Sequence, residues 1–184
     1  MDVFGTIRDI FYSGGHAFTG NLDSINEIAF LVNEGYLKYQ TVSIARKSEY
    51  LALASNNTMI ERADLAAGGG STHVALKMLV GTYLKQQRSR DVVYEHEFCG
   101  YFPDVLTADH TIVAECGHTQ NPEKTLVYFK QGGVQECIQI PYPDVDDTTV
   151  FGYCFAAGKD LNDFLTFLEA EERNKIKKLI RNTQ

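Results

Sequence analysis

The chain contains no tryptophan, only four prolines and four cysteines, and no apolar run near the roughly 18 to 20 residues that a membrane helix needs. No spanning segment and no membrane partner are therefore expected. The start, Met1-Asp2-Val3-Phe4-Gly5, lacks a basic stretch followed by an apolar one, so no secretory signal is expected and the location is read as cytoplasmic. Cys99, Cys116, Cys137 and Cys154 form no C-x-x-C pair, which removes the spacing of zinc motifs. Each falls in a stretch that reads as strand, where Cys behaves as a small apolar residue, and buried free thiols are expected. A disulfide between neighbouring strands is the alternative. Positive charge is short as well: 17 Lys and Arg face 24 Asp and Glu, a net charge of -7. That balance argues against a general nucleic-acid coat protein but leaves room for an enzyme that meets DNA through a local patch.

What is present is the composition of a folded chain, 44% hydrophobic and 22% charged over 184 residues. The length allows one domain, or a domain with a small appendage. Gly68-Gly69-Gly70 is the clearest punctuation. No Lys follows it, so it is not a G-x-x-x-x-G-K-[ST] phosphate loop. It reads as a turn into a helix capped by Ser71 or Thr72. The expected division is a small helical and hairpin unit over 1–67 and a larger unit over 71–184.

In the first unit, Ile25, Ile28, Ala29, Leu31 and Val32 recur at helical spacing after Asp23 or Ser24, and Gly35 closes the helix. Tyr36 to Ile44 then reads as strand, Arg46-Lys47-Ser48-Glu49 as a charged tip, and Tyr50-Leu51-Ala52-Leu53 as a returning strand. This order of parts resembles the recognition helix and wing of a winged-helix domain over about 30 residues. The resemblance implies that Arg46 and Lys47 touch the phosphate backbone. A hairpin used only for packing or dimerisation fits the same residues.

The second unit opens with an amphipathic helix over Thr72 to Gln87, with Leu76, Leu79, Val80, Tyr83 and Leu84 on one face. His73 borders that face and Lys77 follows one turn on. Strands are expected over 92–98, 101–106, 111–117, 134–140 and 149–156, with a short helix over 126–130. A terminal helix is expected over 161–181, broken near Glu171-Glu172. Lys175 and Lys178 in its last turns are a further candidate grip on phosphate.

Pro103-Asp104 and Glu115-Cys116-Gly117 flank a good turn, Thr107-Ala108-Asp109-His110. A turn centred between Ala108 and Asp109 sets Asp104 opposite Val113, with Glu115 as its diagonal neighbour on the same face. Two such carboxylates, the carbonyl of Cys116 and waters form the oxygen-rich set that Mg²⁺ prefers.

Here the chain resembles the PD-(D/E)xK superfamily of nucleases, whose core runs helix, strand, strand with Pro-Asp, strand with Glu-x-Lys, helix, strand. The same order is expected from Thr72 to about Pro141. The resemblance implies an α/β, restriction endonuclease-like core with a small N-terminal α+β appendage. It implies Mg²⁺ or Mn²⁺ held by Asp104 and Glu115, with Glu97 or Glu95 as a further acidic contributor. Gly117 stands where the family carries its Lys, which orients the attacking water and stabilises the developing phosphorane charge. Lys124 is the natural replacement, with His118 and Gln120 as weaker ones. His73 occupies a helix position that is acidic in many relatives and is a candidate for proton transfer. The implied activity is metal-dependent endonucleolytic hydrolysis of DNA, RNA being inseparable from it at this level. A homodimer is expected because duplex cleavage needs two centres or two encounters. The alternative is a catalytically inactive DNA-binding regulator or adaptor, motivated by Gly117.

Overall fold

In the computed structural model the described residues are 2–12, 22–56, 70–117 and 121–181. They form an α/β structure with six helices and one six-stranded mixed sheet. The helices are α1 (Val3–Tyr12), α2 (Leu22–Asn33), α3 (Lys47–Ala54), α4 (Ser71–Arg88), α5 (Pro122–Lys130) and α6 (Leu161–Arg181). The strands are β1 (Leu37–Arg46), β2 (Val92–Tyr94), β3 (Val105–Thr107), β4 (Ile112–Cys116), β5 (Glu136–Ile140) and β6 (Thr149–Ala157), in spatial order β1-β6-β5-β4-β3-β2. Only β4 and β5 run parallel, joined by α5, and every other neighbour pair is antiparallel. A parallel pair cannot be closed by a tight turn, so the helix between them is a geometric necessity.

Strand alternation divides the core between the two sheet faces. Leu106, Val113, Cys137 and Phe155 pack with Ile7, Phe11, Ile25, Ile28, Leu126, Phe129 and Leu161, which places α1, α2, α5 and α6 on one side. Val105, Ala114, Cys116, Ile138 and Cys154 pack with Tyr50, Leu76, Leu79, Val80 and Leu84, which places α3 and α4 on the other. Cys116, Cys137 and Cys154 are buried free thiols; Cys99 is also free but sits in a turn at φ 55° rather than in a strand. No helix among the described residues is long and apolar enough to cross a membrane.

Several expectations change. Residues 37–46 are one continuous strand that pairs with β6 at the end of the common sheet, so the segment read as a separate small unit supplies a strand to the main sheet. The expected returning strand, Tyr50 to Leu53, is helical in α3, so these residues do not form a wing. Four apolar residues carry no period of their own; Tyr50 is buried with Leu76 and Leu79, and packing against α4 selects the helix. Lys47 donates through Nζ to the carbonyls of Asp144 and Val145, at 2.6 Å for the latter, which occupies the ammonium expected to meet phosphate. Arg46 stays exposed at the α3 N-cap.

The N-cap of α4 is Gly70, ahead of the expected Ser71 or Thr72; Gly68 and Gly69 lie outside the described residues. The first strand stops at Tyr94, four residues early, and α6 runs through Glu171-Glu172 without a break. The short helix starts earlier than expected because Asn121 caps it, accepting from the Glu123 and Lys124 amides, with Pro122 in the first turn. Helix α1, which buries Ile7, Ile10 and Phe11, was not expected at all.

One glycine controls how α4 meets the strand that leads into the site. A Cβ at Gly81 would collide with Tyr94 Oη and lie 2.9 Å from its Cζ. We expect Gly81→Ala to lower stability by about 1–3 kcal/mol through overpacking, against the roughly 1 kcal/mol that Ala adds to a helix. Urea denaturation measures it, and adding Tyr94→Phe should recover part of the loss.

Candidate functional site

The site lies where β4 and β5 end together at their carboxyl termini, with β3 beginning beside them. The β3–β4 register runs Val105 to Ala114 and Leu106 to Val113. Asp104 stands in a bend one residue before this ladder, and Val113, its expected partner, pairs with Leu106 instead. The turn is centred one residue later than expected. His110 adopts φ 58°, and Asp109 accepts from the Thr111 amide and hydroxyl at 3.1 and 2.7 Å. Moving the centre by one residue shifts the pairing by two.

Asp104 ends the ladder with its own carboxylate. Oδ2 accepts from the Cys116 amide at 2.6 Å, and Oδ1 accepts from His73 Nε2 on α4 at 2.9 Å. With the carboxylate as acceptor, the imidazole carries a proton at Nε2 in this contact. Its Nδ1 faces the Tyr142 hydroxyl at 3.4 Å, a long bond from the segment after β5. One turn along α4, Lys77 is completely buried and donates to Glu95 Oε1 at 2.5 Å. Glu95 reaches inward because its backbone is left-handed at φ 50°, a conformation that costs a non-glycine residue energy. The ligand-type atoms of His73, Glu95 and Asp104 all lie within 4.8 Å of one another. Glu97, the named acidic contributor, is exposed and outside this group; Glu95, its alternative, takes the place.

Glu115 is held from the other side of the sheet. Lys124 Nζ is 3.2 Å from both of its oxygens, and the Tyr128 hydroxyl donates to Oε1 at 2.6 Å. Lys124 and Tyr128 are four residues apart and so share one face of α5. Lys124 also sits 5.6 Å from the centre of the Tyr101 ring. Burial pushes the Glu115 carboxyl up to about 7; the Lys124 charge opposes this rise, and the nearby Asp104 charge adds to it. Burial likewise raises the Tyr128 hydroxyl and the Cys116 thiol well above their ordinary values. Beside Glu115 on β5 is Gln139, fully buried, which donates to Thr125 Oγ1 at 2.9 Å.

Position 117 leaves little room for any side chain. Gly117 lies at φ 95°, and a Cβ there would stand 3.2 Å from the Tyr142 ring. Any side chain at 117 meets both backbone strain and that ring. The ammonium beside Glu115 comes from α5 instead. His118 and Gln120 lie outside the described residues. Lys175 is exposed on α6, on the sheet side opposite α4, and the Lys178 side chain lies outside the described residues.

Lys77, Tyr128 and Tyr142 are the participants that sequence reasoning did not assign. Two carried a signal. Lys77 interrupts an apolar helix face four residues after His73, and Tyr128 stands four residues after Lys124. Tyr142 had none, because only the fold brings it to Gly117. No protein-family model, no curated protein and no solved structure matches this chain.

Glu115 has a pH consequence. Its folded-state value of about 7 lies above the ordinary 4.5, so the folded chain holds the proton more tightly than the unfolded one. Stability from this group is present below about pH 4.5 and declines as pH rises toward 7. We expect Glu115→Gln, measured in EDTA, to gain relative to wild type across that window, by on the order of 3 kcal/mol. Denaturation midpoints at pH 4.5, 6 and 8 measure the effect, and a difference that is flat with pH would contradict it.

Proposed function

We propose that the chain is a metal-dependent phosphodiesterase acting on nucleic acid, with a restriction endonuclease-like core of the PD-(D/E)xK kind. Support comes first from the order α4, β2, β3, β4, α5, β5, an antiparallel three-strand run followed by a parallel crossover. The observation that carries the proposal is the meeting of two acid clusters at one sheet end. Asp104 groups with His73 and Glu95, and Glu115, held by Lys124, precedes the Cys116 whose amide Asp104 binds.

In this reading Asp104, Glu95 and His73 hold Mg²⁺ or Mn²⁺, with Glu115 as the neighbouring carboxylate. Their donor chemistry fits such an ion: two carboxylates and one imidazole from three separate elements. When bound, the ion supplies positive charge that polarises a phosphoryl oxygen. The chain's own groups do the rest. Asp104 is fixed by the Cys116 amide, so its position does not depend on a flexible side chain. Lys124 is a cation aimed at the site from α5 and offsets charge that develops on the phosphoryl oxygens as water adds and the P–O ester bond breaks. Tyr128 holds Glu115, and Glu115 in turn orients Lys124.

A second reading is an inactive nucleic-acid-binding protein. Its motivating observation is that Lys77 and Lys124 already neutralise Glu95 and Glu115 without any ion. The two readings separate in one set of measurements. Purified protein is assayed on labelled single-stranded, duplex and branched DNA and on RNA, with Mg²⁺, Mn²⁺ or EDTA. We expect cleavage with metal only, reduced at least 100-fold in Asp104→Ala and about 100- to 1000-fold in Lys124→Ala, with partial retention in Lys124→Arg. Calorimetry should show Mn²⁺ uptake by wild type and none by Asp104→Ala. Nucleic-acid binding with no metal uptake and no cleavage selects the second reading.

A further inference from the structure

Phe102 is the exposed aromatic nearest the site in sequence, two residues before Asp104, and 58% of its surface is open to solvent. Isolated exposed apolar residues are ordinary, so position and mounting carry the argument. The segment that presents this ring is braced on the residues just before it. Phe98 and Tyr101 form a two-way backbone bridge, at 2.8 and 3.1 Å, around a turn in which Cys99 and Gly100 both have positive φ. Phe98 stacks on Tyr128 at 6.0 Å between ring centres, and Tyr101 meets the same ring edge-on at 6.1 Å. Tyr128 is the residue that bonds Glu115. Pro103, with its fixed φ, follows Phe102 and leads directly into Asp104.

The local sequence Phe98-Cys99-Gly100-Tyr101-Phe102-Pro103-Asp104 therefore spends two aromatic side chains on anchorage and leaves the third in water. Burying a Phe ring would have contributed about 1.5–3 kcal/mol, which the fold forgoes here. Two residues of chain span at most about 7 Å between Cα atoms, so the backbone that carries the ring is within about one nucleotide step of the Asp104 backbone. A flat apolar face beside a phosphodiester site suits a nucleobase, and stacking on it requires that the base be out of a duplex.

We propose that Phe102 is a stacking platform for an unpaired base next to the scissile phosphate, so that the site takes single strands or unpaired flaps in preference to intact duplex. This rests on the phosphodiesterase reading above and adds the class of substrate. It makes Phe102 a specificity-determining residue; the acid clusters remain the place where the ester is cut.

The chain has no tryptophan, so Phe102→Trp introduces a single one at the platform, excited selectively at the red edge beyond the tyrosine band. The experiment titrates wild type, Phe102→Ala and Phe102→Trp with fluorescein-labelled single-stranded DNA, single-stranded RNA and duplex DNA. It is run in Ca²⁺, with gels in parallel to establish that the strands stay intact, and circular dichroism establishes that each variant is folded. We expect wild type to bind single strands more tightly than duplex, and Phe102→Ala to lose about 5- to 150-fold on single strands. Phe102→Trp should keep the affinity and show fluorescence quenched on binding. An abasic nucleotide beside the cleaved position should weaken wild type as much as Phe102→Ala does, and should add nothing further in that variant. The DNA and RNA arms show which sugar the site accepts. Metal-dependent cleavage with a duplex preference, an unaffected Phe102→Ala and a silent tryptophan would overturn this inference and leave the phosphodiesterase reading standing. Absence of both binding and cleavage on every substrate would overturn both.

Discussion

The carboxylate of Asp104 bonds at one point three elements that strand pairing and core packing already bring side by side. Its two oxygens take the Cys116 amide and His73 Nε2 at 2.6 and 2.9 Å, tying the entry of β3 to the end of β4 and both to α4. The first bond replaces a main-chain acceptor, so β4 keeps its amide satisfied where β3 bends away. A buried amide left without a partner would cost on the order of 1–3 kcal/mol. The same bond aims the carboxylate's other oxygen at the space that His73 and Glu95 share. Structural satisfaction and chemical presentation are thus one interaction here.

Around that point, charge is organised by pairing rather than by excess. Residues 71–158 carry 6 basic and 11 acidic groups, a balance of -5, and the acids of the site belong to that segment. Helix α4 brings Lys77 to Glu95, and helix α5 brings Lys124 to Glu115, each from its own face of the sheet. Lys77 has no exposure at all, and a buried ammonium without its partner would be strongly destabilising. These pairs leave Asp104 with a histidine as its side-chain partner. A net charge of -7 says little about a polyanionic partner when the site acids carry their own counter-charges.

Much of this was legible in the chain because it is local. Helical spacing marked α2, α4 and α6, and Gly35 announced where α2 ends, whereas the Asn121-Pro122 start of α5 was overlooked. Asp104, Glu115, Lys124 and His73 were singled out from residue type and spacing, and the fold brings all four to one end of the sheet. What failed did so for physical reasons. Tyr50-Leu51-Ala52-Leu53 is too short to show a period, and α3 is decided by the surface of α4. The β3–β4 register turned on which residue of the turn accepts a positive φ, and His110 is not the obvious choice. Glu95 rather than Glu97 enters the group where the chain leaves β2 in a left-handed step and the buried Lys77 meets its carboxylate.

The linear order of amino acids determined the α/β class, most of the elements, the acidic pair on the Pro-Asp hairpin and the absence of a lysine at 117. Periodicity, capping and residue type act over a few neighbours, and those can be read without a fold. The tertiary structure decided which of these residues share a site. It joined β1 to β6 and so drew the first segment into the common sheet. It placed Tyr142 against Gly117 and supplied the ammonium from α5, and it set a lysine from each flanking helix beside a carboxylate. Such meetings link positions that are distant in sequence, and they depend on register, packing and backbone handedness together, none of which a single stretch of chain contains.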